Sequence, residues 1–305
     1  MAEILLKSAS FICLIALGYL LKRKGLFGKT DFKILSKIVL NITLPCANIV
    51  SFSKYPPDTS LLLVVFLGFA MNWLMLLIAW LASRGYERPS RAVWLNCVTG
   101  YNIGTFALPF VQSFLGPASL VGTCLFNTGN ALMCNGTTYA ISMNIMEGTK
   151  GLNLKGIGKT LLKSMPFLTQ IILLLVCIVG LRVPEEVVTF VTPASNANAF
   201  LAMFMIGLMF DFHIEKTRIK EISGILVIRY IVAFAAAAAF YFLLPFELPI
   251  RQALAITVLA PVGTVSTALA VKAGGDPAMA ASANSVSILI SIPLILGLLA
   301  VFGTV

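Results

Sequence analysis

The strongest constraint on this chain is the run Thr99-Gly-Tyr-Asn-Ile-Gly-Thr-Phe-Ala-Leu-Pro-Phe-Val-Gln-Ser-Phe-Leu-Gly116, which lies inside an apolar segment long enough to cross a bilayer. A continuous helix there has to absorb Gly100, Asn102, Gly104 and Pro109 within ten positions. Proline removes a backbone donor and clashes with the preceding turn, and glycine unpins the chain, so a break is expected near the middle of the helix, with Asn102 on it. Backbone groups freed at membrane depth are tolerated only where protein encloses them or water reaches them, and broken helices therefore mark substrate or ion sites. Ala255-Ile-Thr-Val-Leu-Ala-Pro-Val-Gly-Thr-Val-Ser-Thr-Ala-Leu-Ala270 repeats the recipe, with Pro261 and Gly263 amid Thr257, Thr264, Ser266 and Thr267. A single such segment reads equally well as an ordinary proline kink. Two, in corresponding halves of one chain, favour a shared binding site.

The rest of the composition agrees with a membrane setting. Of 305 residues 59% are hydrophobic and 11% charged, against about a quarter charged in soluble domains, and mean hydropathy is +0.96. At about 20 residues per crossing this allows about ten spans and little else. The expectation is an all-α integral membrane protein with spans at 4–21, 34–52, 60–83, 92–115, 118–142, 166–182, 195–212, 222–244, 251–271 and 281–302. Seventeen of the 22 Lys and Arg then fall on one side, Lys22, Arg84, Lys155 and Lys216 among them; Lys7, Lys54, Arg182 and Arg251 fall on the other, and Arg229 lies within a span. The positive-inside rule puts the rich side in the cytoplasm and both termini outside, in the cell membrane. Lys22-Arg23-Lys24 after the first span reads as a stop-transfer flank, so that span is expected to be retained. Basic residues confined to short loops turn the net charge of +10 away from nucleic acid as a partner and toward the lipid bilayer.

Five spans precede the stretch 147–165 and five follow it. The halves, 1–146 and 166–305, thus enter from opposite sides as two inverted five-helix repeats, with 147–165 a short cytoplasmic linker and the broken crossover helices in spans 4 and 9. Each break leaves a half-helix N-terminus whose free N–H groups favour an anion. The candidate substrate-binding residues are Asn102, Gly104, Thr105 and Pro109 from the first break, and Pro261, Gly263 and Thr264 from the second. Asn41 in span 2, and Asn127 and Asn130 three apart on one face of span 5, join them. Each asparagine can instead be an amide that glues helices together.

Other motifs lead nowhere chemical. Gly156-Ile-Gly-Lys-Thr160 lacks the first glycine of a phosphate loop, where Asn153 stands. The six cysteines fall in apolar segments without CxxC spacing, so neither a disulfide framework nor a zinc site is expected. His213, the one histidine, reads as a loop residue beside Asp211. No carboxylate sits mid-span, which removes the material for an acid–base or nucleophilic site and argues against an enzyme. Arg229 is about two turns from a span end and is expected to snorkel to the surface.

Asn102-x-Gly104 with Leu108-Pro109, then Ala260-Pro261, Gly275-Asp276-Pro277 and Ile292-Pro293, in that order, resemble the auxin efflux carrier family. That family includes plant auxin exporters and bacterial malonate and malate permeases, and its fold is similar to the bile acid sodium symporters. The resemblance implies a secondary transporter of small organic anions, with a mobile bundle moving by an elevator or rocking step against a scaffold, no cofactor, and a possible homodimer. It implies Pro109 and Pro261 as the crossover pair and Asn102 as a substrate-facing amide. H+ or Na+ remains open as coupling ion, with possible Na+ ligands near Asn130, Thr267 and Asn284. A sodium-coupled symporter of bile-acid-like amphipathic anions, a channel and a membrane-embedded sensor are the alternatives. The chain departs from the family at Met165-Pro166, where asparagine often precedes the proline, and lacks the long central loop of the plant carriers.

Overall fold

The computed structural model describes residues 2–28, 30–55, 59–147, 165–210 and 215–302. Most of the expected linker, with Gly156-Ile-Gly-Lys-Thr160, and also Asp211 and His213, lie outside the described residues. The chain is all-helical: α1 (Ala2–Arg23), α2 (Phe32–Lys54), α3 (Leu62–Ala82), α4 (Arg88–Thr99), α5 (Ile103–Phe114), α6 (117–147), α7 (Met165–Ile178), α8 (Glu185–Met209), α9 (Ile219–Leu243), α10 (Leu248–Val258), α11 (Thr264–Lys272) and α12 (Pro277–Phe302). Of these, α2, α3, α8, α9 and α12 are long and apolar enough to cross a membrane, and α5, α10 and most of α7 form shorter apolar helices. Each stretch expected to span overlaps one helix, and the fourth and ninth overlap two; α8 begins at Glu185, ten residues before the expected start of its span.

Local chemistry explains where the helices begin. Prolines stand in the first turn of α4, α6, α10 and α12, where the missing N–H costs nothing and φ is already helical. Asp276 caps α12 by accepting from the N–H groups of Ala278 (2.8 Å) and Met279 (3.1 Å). Arg218, at the foot of α9, donates to Glu221 at 2.9 Å and reaches toward Asp276 at 3.9 Å, tying the starts of α9 and α12 together. The hydrogen bond to Glu221 holds its guanidinium pKa above the ordinary value. The broad apolar face of α3, with Phe66, Trp73, Leu77 and Trp80, is exposed, as a surface meeting lipid acyl chains should be.

Glycines set which helices pack closest. Gly18 of α1 and Gly207 of α8 lie so close that a Cβ on either would strike the other helix's backbone, at Phe204 O and Ile15 O respectively. Gly68 of α3 and Gly129 of α6 meet the same way, against Phe126 O and Val65 O. Lipid offers no hydrophobic drive between helices, so such backbone contact is how membrane helices gain packing energy. The helices fall into two groups. In one, α2 packs on α8 and α7 while α8 is zipped to α1; in the other, α6 is zipped to α3, α10 packs on α6 and α9, α11 packs on α4, and α12 packs on α11, α9 and α4. The groups meet where α2 and α7 pack on α6 and α8 packs on α5.

A side chain at either seam has no room to rotate away from a carbonyl. Gly207→Val should therefore lower the thermal unfolding midpoint in detergent by several degrees, an overpacking cost of about 1–3 kcal/mol. Gly85→Val, where a Cβ meets nothing within 4 Å, should leave it unchanged.

Candidate functional site

The two breaks face each other and satisfy each other. Helix α4 ends at Thr99, and Gly100 turns extended (φ −62°, ψ 128°); Asn102 (φ −81°, ψ 71°) precedes α5. Helix α10 ends at Val258, and extended Gly263 (φ −65°, ψ 130°) precedes α11. The segments 100–102 and 261–263 run antiparallel, with Asn102 N–H donating to Pro261 O (2.9 Å) and Gly263 N–H to Gly100 O (3.0 Å) about a bridge between Tyr101 and Val262. The outer edges are also paired. Asn130 of α6 accepts from Tyr101 N–H (3.3 Å) and donates to Tyr101 O (3.2 Å), as a neighbouring strand would, while Ser287 of α12 accepts from Val262 N–H at 3.0 Å. Every backbone group exposed by the break that these bonds reach is paid for inside the protein, as membrane depth requires.

The break is therefore at Gly100–Asn102, near the middle of the span and with Asn102 on it as expected, and Pro109 is not itself the breaking point. Proline 109 lies one turn into α5, behind a π-helical turn, Ile103–Ala107. Lacking an N–H, it cannot donate to Thr105 O, and the helix widens locally instead of ending. Leu44-Pro45 in α2 does the same, following a π turn at Val39–Thr43, and a third π turn, Met133–Thr138, lies in α6.

All three π turns border one cavity of about 260 Å³, below the roughly 300–1,000 Å³ of drug-sized sites, and so suited to a small molecule. From α2 it is lined by Ser36, Lys37, Leu40 and Asn41, and from the first break by Tyr101, Asn102, Gly104 and Thr105. Helix α6 contributes Asn127, Asn130, Cys134 and Asn135, and the second break Gly263, Thr264, Val265 and Ser266. Of the residues singled out from sequence, Asn41, Asn102, Gly104, Thr105, Asn127, Asn130, Gly263 and Thr264 line this space; Pro109 and Pro261 are buried behind it. The first turns of α5 and α11 both open on the cavity, and their N–H groups lack intrahelical partners by geometry.

Not every lining side chain is free to meet a ligand. Asn102 Oδ1 accepts from Thr105 at 2.6 Å, and Asn130 also donates to Asn127 at 3.3 Å. Asn41 donates to Lys37 O at 2.8 Å. Among the expected sodium ligands, Thr267 donates its hydroxyl to Gly263 O (2.9 Å) and Asn130 is committed to Tyr101, while Asn284 Oδ1 is buried without a hydrogen-bond partner and does not line the cavity.

Two charged residues were misread from sequence. Lys37 was counted with the basic loops, yet it lines the cavity; its spacing of four from Asn41 on one helix is the signal that places both on the same face. Arg229 does not snorkel. It is fully buried (0% exposed), donating to Cys97 O (3.2 Å), Val98 O (2.8 Å), Ala260 O (2.9 Å) and Pro261 O (2.9 Å), with its guanidinium carbon 4.5 Å from the centre of the Tyr101 ring. The ends of two half-helices offer it more than the distant membrane surface does. Its place two turns inside a span was the clue.

An all-helical chain with several membrane-length apolar helices and a cavity holding asparagine and hydroxyl side chains at facing helix breaks is a multi-pass membrane protein built around an internal site. Residues 4–153, just under half of the chain, match the membrane transport protein family, that of the auxin efflux carriers. The chain is also 24% identical over 249 residues, 78% of each partner, to an uncharacterized transporter of Methanothermobacter thermautotrophicus. It is a membrane transporter.

The crossing leaves no space at Gly100, where a Cβ would run into the Ser266 side chain. Gly100→Ala should lower the unfolding midpoint, and Ser266→Gly in the same chain should restore most of the loss, as a double-mutant cycle of thermal midpoints would show.

Proposed function

We propose that the protein is a secondary transporter of small organic anions, working by alternating access across the crossed breaks. The observation that carries this reading is the position of the cavity. Ser36, Lys37, Leu40, Asn41 and Met165 come from the α1, α2, α7 and α8 body, and the remaining lining comes from the body holding both breaks. Each body is zipped internally by glycines at backbone contact, so each resists bending, and the boundary between them is the plane along which a rigid displacement can occur. Gly104 lies on that boundary against Leu40 and Leu44. A site at such a seam is opened to one side or the other by sliding, which an elevator or rocking step requires.

An anion is favoured by the N-termini of α5 and α11, each carrying about half a positive charge, together with Lys37 and the amides and hydroxyls of Asn102, Thr105, Asn127 and Thr264. The equivalence of Tyr101 with Val262, of Asn130 with Ser287 and of Asn127 with Asn284 supports two inverted repeats, 1–146 and 166–305, with the basic ends cytoplasmic.

Uptake of radiolabelled malonate, malate and indole acetate into proteoliposomes tests the function directly. Saturable flux that competitors suppress is the expected result; flux linear in substrate concentration indicates a channel, and binding without flux a sensor. Asn102→Ala should remove most uptake and calorimetric binding while leaving the protein folded, and undiminished binding would take Asn102 out of the site. Lys37→Gln should raise KM about tenfold, the value of one charge-assisted hydrogen bond, with kcat changed far less.

A further inference from the structure

Arg229 is a fully buried charge, and the cavity alone does not explain it. A guanidinium taken out of water inside a membrane protein carries a penalty of several kcal/mol, and it persists only where its surroundings offset that cost. Among the described residues its hydrogen bonds go entirely to backbone carbonyls, two at the C-terminal end of α4 and two just past the end of α10. Each helix C-terminus carries about half a negative charge, so the two together present about one, which a single guanidinium matches.

Transporters with broken helices commonly hold their coupling cation among such unwound carbonyls and half-helix C-termini. Here four carbonyl oxygens from both arms of the crossing converge on a side chain of the protein itself. Building on the transport reading above, we infer that Arg229 is the resident cation of the crossing: it occupies with a covalently tethered charge the carbonyl cluster where a coupling sodium ion would sit, and it frees anion binding at the opposite face of the crossing from any need for sodium.

The consequence for the substrate follows from the same charges. At a crossing of two broken helices the negative C-termini and positive N-termini lie close together and largely cancel. Arg229 cancels the negative pair alone, which leaves the N-termini of α5 and α11 facing the cavity with about one unit of uncompensated positive charge. The site is thereby set for one carboxylate group. Arg229 acts on it as a positioning residue, through the crossing and through Tyr101, whose ring lies over the guanidinium while Tyr101 itself lines the cavity.

The test needs no substrate, so its failure is separable from failure of the transport reading. Thermal unfolding of the purified protein is followed in sodium chloride and in choline chloride at equal ionic strength. The wild-type midpoint should be the same in both. Arg229→Ala should lose several degrees in choline, and millimolar guanidinium, or sodium entering the emptied carbonyl cluster, should restore a substantial part of that loss; Arg229→Lys should fall between. A wild-type midpoint raised by sodium over choline overturns the inference, as does an Arg229→Ala protein that is insensitive to both guanidinium and sodium. Should Arg229→Ala fail to fold, Arg229→Lys and the wild-type comparison still decide it. In proteoliposomes that show uptake, wild-type flux should not change when sodium replaces choline.

Discussion

The structure depends on how a chain can leave the helical state at membrane depth without orphaning its peptide groups. A single broken helix cannot do so, because each freed N–H or C=O in an apolar medium costs several kcal/mol. Here two breaks are laid side by side so that each supplies the other's partners, Asn102 N–H to Pro261 O and Gly263 N–H to Gly100 O. The result is a two-rung fragment of antiparallel sheet inside an all-helical protein, with Asn130 and Ser287 on its outer edges. Gly100 is needed there for closeness alone, since its φ is open to any residue while a Cβ is not.

Much of this was legible in the sequence because membrane helices tolerate so little irregularity. Glycines, asparagines and prolines clustered in two apolar segments pointed to two breaks, and most of the polar residues chosen around them do line one cavity. Asn102 was expected on the first break and is there, but Pro109 does not mark it, because proline in a helix has two outcomes. It can end the helix, or the helix can widen into a π turn that avoids the missing donor. Pro109 takes the second course and Pro261 stands within a true gap. Leu44-Pro45 and Leu108-Pro109, each two residues beyond a π turn, show that the second course is used twice.

The charged residues were harder to place for a different reason. A Lys or Arg side chain reaches far enough that distance from a helix end does not determine where its head lies. Arg229 could have reached either surface or core; what decides is the competing offer, and that offer, four carbonyls from two helices distant in sequence, exists only once the fold has formed. Lys37 was obscured by its neighbours Lys29 and Lys33, which made it look like one more loop charge.

The glycine seams and the crossing answer opposite demands. Gly18 with Gly207, and Gly68 with Gly129, bring backbones into contact and leave nothing to slide, so they hold each body rigid. Between the bodies the cavity is bordered by π turns, whose widened backbone is a poor surface for close packing, and by Gly104 against the ends of Leu40 and Leu44. Backbone contact within the bodies and side-chain contact at this boundary is the arrangement in which the displacement proposed above would cost least along one plane. The crossing stays intact through any such movement because both of its strands, the asparagine and serine at its edges and the guanidinium beneath it all belong to the same body. In the transport cycle proposed above, a charge tethered inside that body would travel with the site, so the field presented to the proposed anion would not have to change as the site changed sides.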